Sequence, residues 1–165
     1  MTVKQRARDL KLARRAKRHG MQNSLRIVME ARAAGLPISL AFALVQQESG
    51  NGANVFGHDP TIFVGAGNVT KAKYLAYKNA RGHTRMQGVG PVQLTWYGFQ
   101  DQADAMGGCW QPKYNLRVGF QHLAHLIAQK GERAGIKAYN GSGDAADHYA
   151  SSVLSHKATW HRRLA

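Results

Sequence analysis

A mainly α, single-domain fold is what this chain predicts, on three observations. Apolar residues recur at helical spacing in several stretches, glycine or asparagine closes most of those stretches, and alternation of period two is almost absent. The chain has 165 residues, 44% of them apolar and 8% aromatic, which is enough for one packed core and argues against a disordered class. No internal repeat is present, and the longest apolar run, residues 38–45, is far shorter than the ~20 residues of a membrane span.

In chain order, residues 1–20 carry eight of the 23 Lys and Arg residues against one acid, Asp9. Ala7, Leu10 and Ala13 make only a thin apolar stripe there, so the segment is expected to be a basic N-terminal arm or a loosely docked helix, with the folded domain at 21–165. Asn23 or Ser24 can cap a helix through Leu25, Ile27, Val28 and Ala31 that stops at Gly35. Pro37 suits the first turn of the next helix, which runs through ISLAFALVQQES to the stop at Gly50 and Asn51. Residues 51–68, rich in Gly, Asn, Asp and Pro, read as a long ordered loop with a short hairpin. A helix over 70–80 stops at Gly82. The turn Gly88-Val89-Gly90-Pro91 leads to Thr95, expected to cap a helix ending near Gly107. Leu116, Phe120, Leu123 and Ile127 form one helical stripe, 136–140 a short helix, and Asp144 is expected to cap a last helix with Ala146, Tyr149, Val153 and Trp160 on its inner face.

The chemistry points to Glu48. It lies on the last turn of an apolar helix, where burial and the partial negative charge of the helix C-terminus both disfavour the ionised carboxylate, as a general acid at neutral pH requires. The plainer alternative is a surface acid near a helix end. Cys109 is alone, so no intramolecular disulfide can form, and it reads as a packing residue suited to a reducing compartment. The net charge of +14 implies an acidic partner or surface: nucleic acid, anionic lipid or a polyanionic wall.

Three short stretches follow one another: Glu48-Ser49-Gly50, Gly90-Pro91-Val92-Gln93-Leu94 and Ala138-Tyr139-Asn140. Between the last two, Gln111-Pro112-Lys113-Tyr114-Asn115-Leu116 opens a long amphipathic stretch. In this order the motifs, over residues 37–154, resemble the lytic transglycosylases and goose-type lysozymes of glycoside hydrolase family 23, and look most like the muramidase domains of bacteriophage endolysins. Pro91 and Val92 stand where that family usually has Leu and Met, and Gly141-Ser142-Gly143 where it usually has Ala-Gly. The gap from Glu48 to Gln93 is longer than in compact members, which implies an inserted lid or cleft wall over residues 59–88.

The resemblance implies a lysozyme-like domain with a substrate cleft. Its activity would be cleavage of the β-1,4 bond between N-acetylmuramic acid and N-acetylglucosamine in peptidoglycan, as a lytic transglycosylase forming 1,6-anhydro ends in phage-type host lysis. Glu48 would act as acid and then base, with Ser49, Gln93, Tyr139 and Asn140 at the substrate. Tyr139 would donate its phenol hydrogen to Glu48. Without the resemblance, Gln93 reads as a turn residue and Tyr139 as a core aromatic. Asp59 is the candidate second carboxylate for a hydrolytic muramidase, with an ordinary Asp59-Pro60 turn as the alternative.

No cofactor or metal is expected: His122 and His125 lie three apart on one helix but lack an accompanying acid. Peptidoglycan strands are the expected partner, with anionic wall polymers or phospholipid held by the basic arm, so that loss of residues 1–18 would weaken lysis most at low salt. A monomer without nucleic acid is expected, made in the host cytoplasm without a signal peptide and acting at the wall after release. From another class, a basic nucleic-acid-binding protein or a non-catalytic wall-binding protein would share the charge, and Tyr74, Tyr77, Trp96 and Tyr97 would serve either as stacking platforms.

Overall fold

A computed structural model describes residues 2–59 and 63–165; Met1 and residues 60–62, the latter inside the expected lid, lie outside the described residues. Among the described residues there are eight helices: α1 Val3–Arg18, α2 Ser24–Ala33, α3 Ile38–Ser49, α4 Lys71–Arg81, α5 Tyr97–Met106, α6 Pro112–Lys130, α7 Glu132–Asn140 and α8 Gly143–Leu164. They contain no extended strand, only isolated antiparallel bridges that pair Val55 with Asn68 and Val89 with both Phe56 and Leu94. The mainly α expectation therefore holds, and the first bridge closes the loop over 51–68. None of the described helices is long and apolar enough to cross a membrane.

α3 is the centre of the core. Leu40 through Val45 are fully buried, so this helix is covered on every side rather than along one stripe. Its most extensive partner is α8, and α2 packs beside it. The α3–α8 seam joins an apolar half to a polar one. Trp160 stacks on Phe42 with ring centroids 4.9 Å apart. Beyond it, three consecutive side chains of α3 each accept a hydrogen bond from α8: Gln46 from Trp160 Nε1 at 2.7 Å, Gln47 from Ser152 Oγ at 2.6 Å, and Glu48 from the Tyr149 hydroxyl.

The basic N-terminal segment is a regular helix packed on α2 and α8, not a loose arm. Its inner face is Asp9, Ala13 and Ala16, whereas Ala7 is exposed and Leu10 only half-buried. Two small alanines allow close approach, and the Asp9 carboxylate receives Arg32 Nε from α2 at 2.6 Å and Gln5 Nε2 at 2.8 Å. A buried acid held across the interface through Oδ1 thus does what a broad apolar stripe would otherwise do, although its buried Oδ2 has no hydrogen-bond partner. Glu30, also buried, holds Arg117 of α6 at 2.9 Å.

Three details differ from expectation at helix starts. Asn23 precedes α2 in a left-handed conformation, φ 53°, and its side chain donates to the Gly52 carbonyl instead of capping. Trp96, not Thr95, is the residue before α5, and the Thr95 hydroxyl bonds the Gln93 carbonyl two residues back. Asp144 lies within the first turn of α8, behind Ser142, where its charge still complements the helix N-terminus. Thr70 caps α4 with its side chain.

Candidate active site

Glu48 is half-buried at the end of α3, and Gly50 turns the chain away at φ 72°. Burial raises its carboxyl from 4.5 to about 7, while the Tyr149 hydroxyl, donating to the carboxylate, pulls the other way. The acid faces a groove of about 320 Å³ with four walls. Glu48 comes from α3, the segment Gln93 to Trp96 leads to Phe99 on α5, α6 supplies His122, and α7 ends in Tyr139 and Asn140. Of the expected site residues, the fold thus brings Glu48, Gln93, Tyr139 and Asn140 together.

The turn that carries Gln93 is built from below by α6. Asn115 is fully buried; its Nδ2 donates to the Val89 carbonyl at 2.6 Å and its Oδ1 accepts from the Val92 amide at 3.2 Å. Gly90, at φ 80°, sits where a Cβ would come within 2.4 Å of the Asn115 side chain. Replacing Asn115 by Ala leaves the buried Val92 amide without this partner, while the Val89 carbonyl keeps the Leu94 amide, so a stability loss of about 1–3 kcal/mol is expected in denaturant melts. Ser49 closes the arrangement from the other side, its one hydroxyl hydrogen shared between the Val45 carbonyl of its own helix at 3.1 Å and the Pro91 carbonyl at 2.8 Å. Its hydroxyl therefore ties α3 to the turn, and Ser49, expected at the substrate, is not among the residues lining the groove.

Gln93 has a left-handed backbone, φ 48°, and spends its amide hydrogens on the Val55 carbonyl at 3.0 Å and the Gly90 carbonyl at 2.9 Å. It lines the groove without a free amide donor. Glycines at 57 and 88 are required beside it, because a Cβ at either would lie within 2.5 Å of Gln93 Oε1.

The phenol at Glu48 is Tyr149 on α8, not Tyr139. The Tyr139 hydroxyl donates to the Val92 carbonyl at 3.0 Å and so ties α7 to the same turn. Gly119 of α6 permits this approach, since a Cβ there would meet Val92 Cγ2 at 2.4 Å and the Tyr139 hydroxyl at 3.1 Å. Burial, and then the charge of Glu48, hold both phenols protonated far above neutrality. Tyr149 carried a signal in the sequence only as one more aromatic on an inward stripe.

Asp59 is half-buried and is not among the residues lining the groove. Among the described residues that line it, Glu48 is the single acid. His122, weighed in the sequence only as a metal ligand, is a groove residue between the rings of Phe99, at 4.4 Å, and Tyr139, at 5.6 Å. Burial, reinforced by His125, lowers its pKa, so it is a neutral imidazole at pH 7. No cluster of three or more metal-ligating side chains occurs among the described residues.

Of the proposed stacking aromatics, Tyr74 and Tyr77 are core residues, bonded to Asp104 and to Gln87 and Gln100. Trp96 is half exposed on the groove rim. Cys109 is fully buried and burial pushes its thiol up to about 12, so it packs rather than reacts.

The arrangement can hold an uncharged polar ligand against aromatic and amide groups while one carboxyl, protonated in about half the molecules near pH 7, delivers a proton to it. No family model, no curated protein and no solved structure matches the chain at a significant level.

Proposed function

We propose that this chain is a peptidoglycan-degrading enzyme with a lysozyme-like domain, and that Glu48 is its general acid. The observation that supports this most is a carboxyl held near pH 7 at a groove, positioned by a phenol hydroxyl and backed by the motif order described above. In the reaction, the protonated Glu48 gives its proton to the oxygen linking N-acetylmuramic acid to N-acetylglucosamine, and the bond from that oxygen to muramyl C1 breaks. The muramyl C6 hydroxyl then attacks C1 and returns its proton to Glu48. The products are a 1,6-anhydro end and a free N-acetylglucosamine end, and the acid is regenerated.

The lyase outcome is favoured over hydrolysis because Glu48 is the single acid among the described groove-lining residues, whereas an inverting hydrolase needs a second carboxyl roughly 6.5–9.5 Å away to hold a water. Mass spectrometry of the fragments released from purified peptidoglycan separates the two: anhydro ends weigh one water less than reducing ends. Only reducing ends would sink the lyase reading, and no fragments at all would sink the enzyme.

The biological setting that goes with this reading is phage-type host lysis by a monomer that acts at the cell wall. The exposed cations of α1 would hold it near anionic wall polymers or phospholipid. Because α1 contributes Ala13 and Ala16 to the core, removing it tests folding as much as binding. The same cations support the rival of a nucleic-acid-binding protein, which predicts salt-sensitive DNA retention without lysis.

A further inference from the structure

Six aromatic rings lie side by side from the outer surface to the floor of the groove. His83, exposed after α4, stacks on Tyr97 at 4.1 Å with planes 17° apart. Tyr97 meets Trp96 at 5.3 Å, Trp96 meets Phe99 at 5.1 Å, and Phe99, His122 and Tyr139 continue at 4.4 and 5.6 Å. Four of these rings line the groove with Glu48; Tyr97 and His83 lie beyond it. The series is not a core cluster. Trp96 is 51% exposed and His83 is exposed, while the other four are half-buried. Nor is Trp96 loosely placed, because Gly98 makes room for it: a Cβ at 98 would lie 2.3 Å from the indole.

We propose that these rings form one continuous glycan-binding track, which runs out of the Glu48 groove to His83 and adds at least one sugar position beyond those beside the acid. Apolar C–H faces of pyranoses pack on aromatic rings. Single-stranded nucleic acid also stacks on such platforms, but it needs cations along its phosphates, and no Lys or Arg lines the groove among the described residues. The track rests on the proposed substrate class, and places the added sugar position on the α4–α5 side of the groove.

The test is binding, by calorimetry, of peptide-free peptidoglycan glycans of two, four and six N-acetylated sugars to the Glu48→Gln protein. Affinity is expected to rise with length. Trp96→Ala should weaken every length by roughly three- to tenfold, whereas His83→Ala and Tyr97→Leu should remove only the gain of the longer oligomers. His83 is exposed, so its variant tests the track even if the half-buried Tyr97 variant is less stable. A length gain untouched by both outer variants, or no gain with length, overturns the track while leaving the proposed substrate intact. Failure of every oligomer to bind overturns both, and a thymidine oligomer that binds and is lost in Trp96→Ala assigns the rings to nucleic acid instead.

Discussion

Glu48→Gln is expected to slow clearance of a peptidoglycan suspension by about 10²–10⁴-fold, the range over which a positioned general acid contributes. The amide keeps the size of the side chain and can still accept from the Tyr149 hydroxyl, so the loss isolates the proton. The same substitution should also change how stability depends on pH. Between the ordinary carboxyl value of 4.5 and about 7, the native state holds a proton that the unfolded chain has given up. This contribution is complete below pH 4.5 and is lost as pH rises through 7, to the extent of roughly 2–3 kcal/mol. Glutamine titrates nowhere in this range. Thermal melts at pH 4 and pH 8 should therefore show the variant gaining on the parent protein as pH rises. A constant difference across that range would mean that position 48 is well hydrated in the native state, and full lytic rate in the variant would remove it from the chemistry.

The second large effect is expected to separate two tyrosines. The Tyr149 hydroxyl donates to the Glu48 carboxylate and stabilises its ionised form, so Tyr149→Phe should move the alkaline limb of the rate profile, set by ionisation of the acid near pH 7, to higher pH. Loss of the same bond frees the carboxyl rotamer, and the maximal rate should fall by about 10- to 100-fold. Tyr139→Phe loses only the bond to the Val92 carbonyl. It should cost about 1 kcal/mol of stability and leave the limb where it is. Rate profiles of both variants decide the matter: a limb that moves in Tyr139→Phe and not in Tyr149→Phe would reverse the roles.

That exchange of roles illustrates what a sequence can carry. The helices and their ends were readable because apolar spacing and stop residues are local: α3 ends at the glycine expected of it, and Leu116, Phe120 and Leu123 are buried as their stripe required. The half-buried position of Glu48 at the end of α3 was readable for the same reason. Which phenol reaches it was not, because Tyr139 and Tyr149 both sit on inward helical faces and the choice depends on how α8 crosses α3. The docking of α1 escaped a hydrophobicity argument because its contact is two alanines and an acid matched to Arg32 on α2, 23 residues further along the chain. Gln93 reads as a turn residue on its own and as a ligand group only through the resemblance; it lines the groove, but its positive φ and neighbouring carbonyls engage its amide hydrogens.

The three hydrogen bonds from α8 to Gln46, Gln47 and Glu48 separate two tasks along the polypeptide. On the proposed reading, proton delivery is anchored to a pair of rods in the interior, while ligand choice belongs to the segment between Gln93 and Phe99 and to the tip of α7. Drift in those outer parts can retune which polymer is gripped without disturbing the aim of the acid, so specificity and chemistry are free to evolve at different rates.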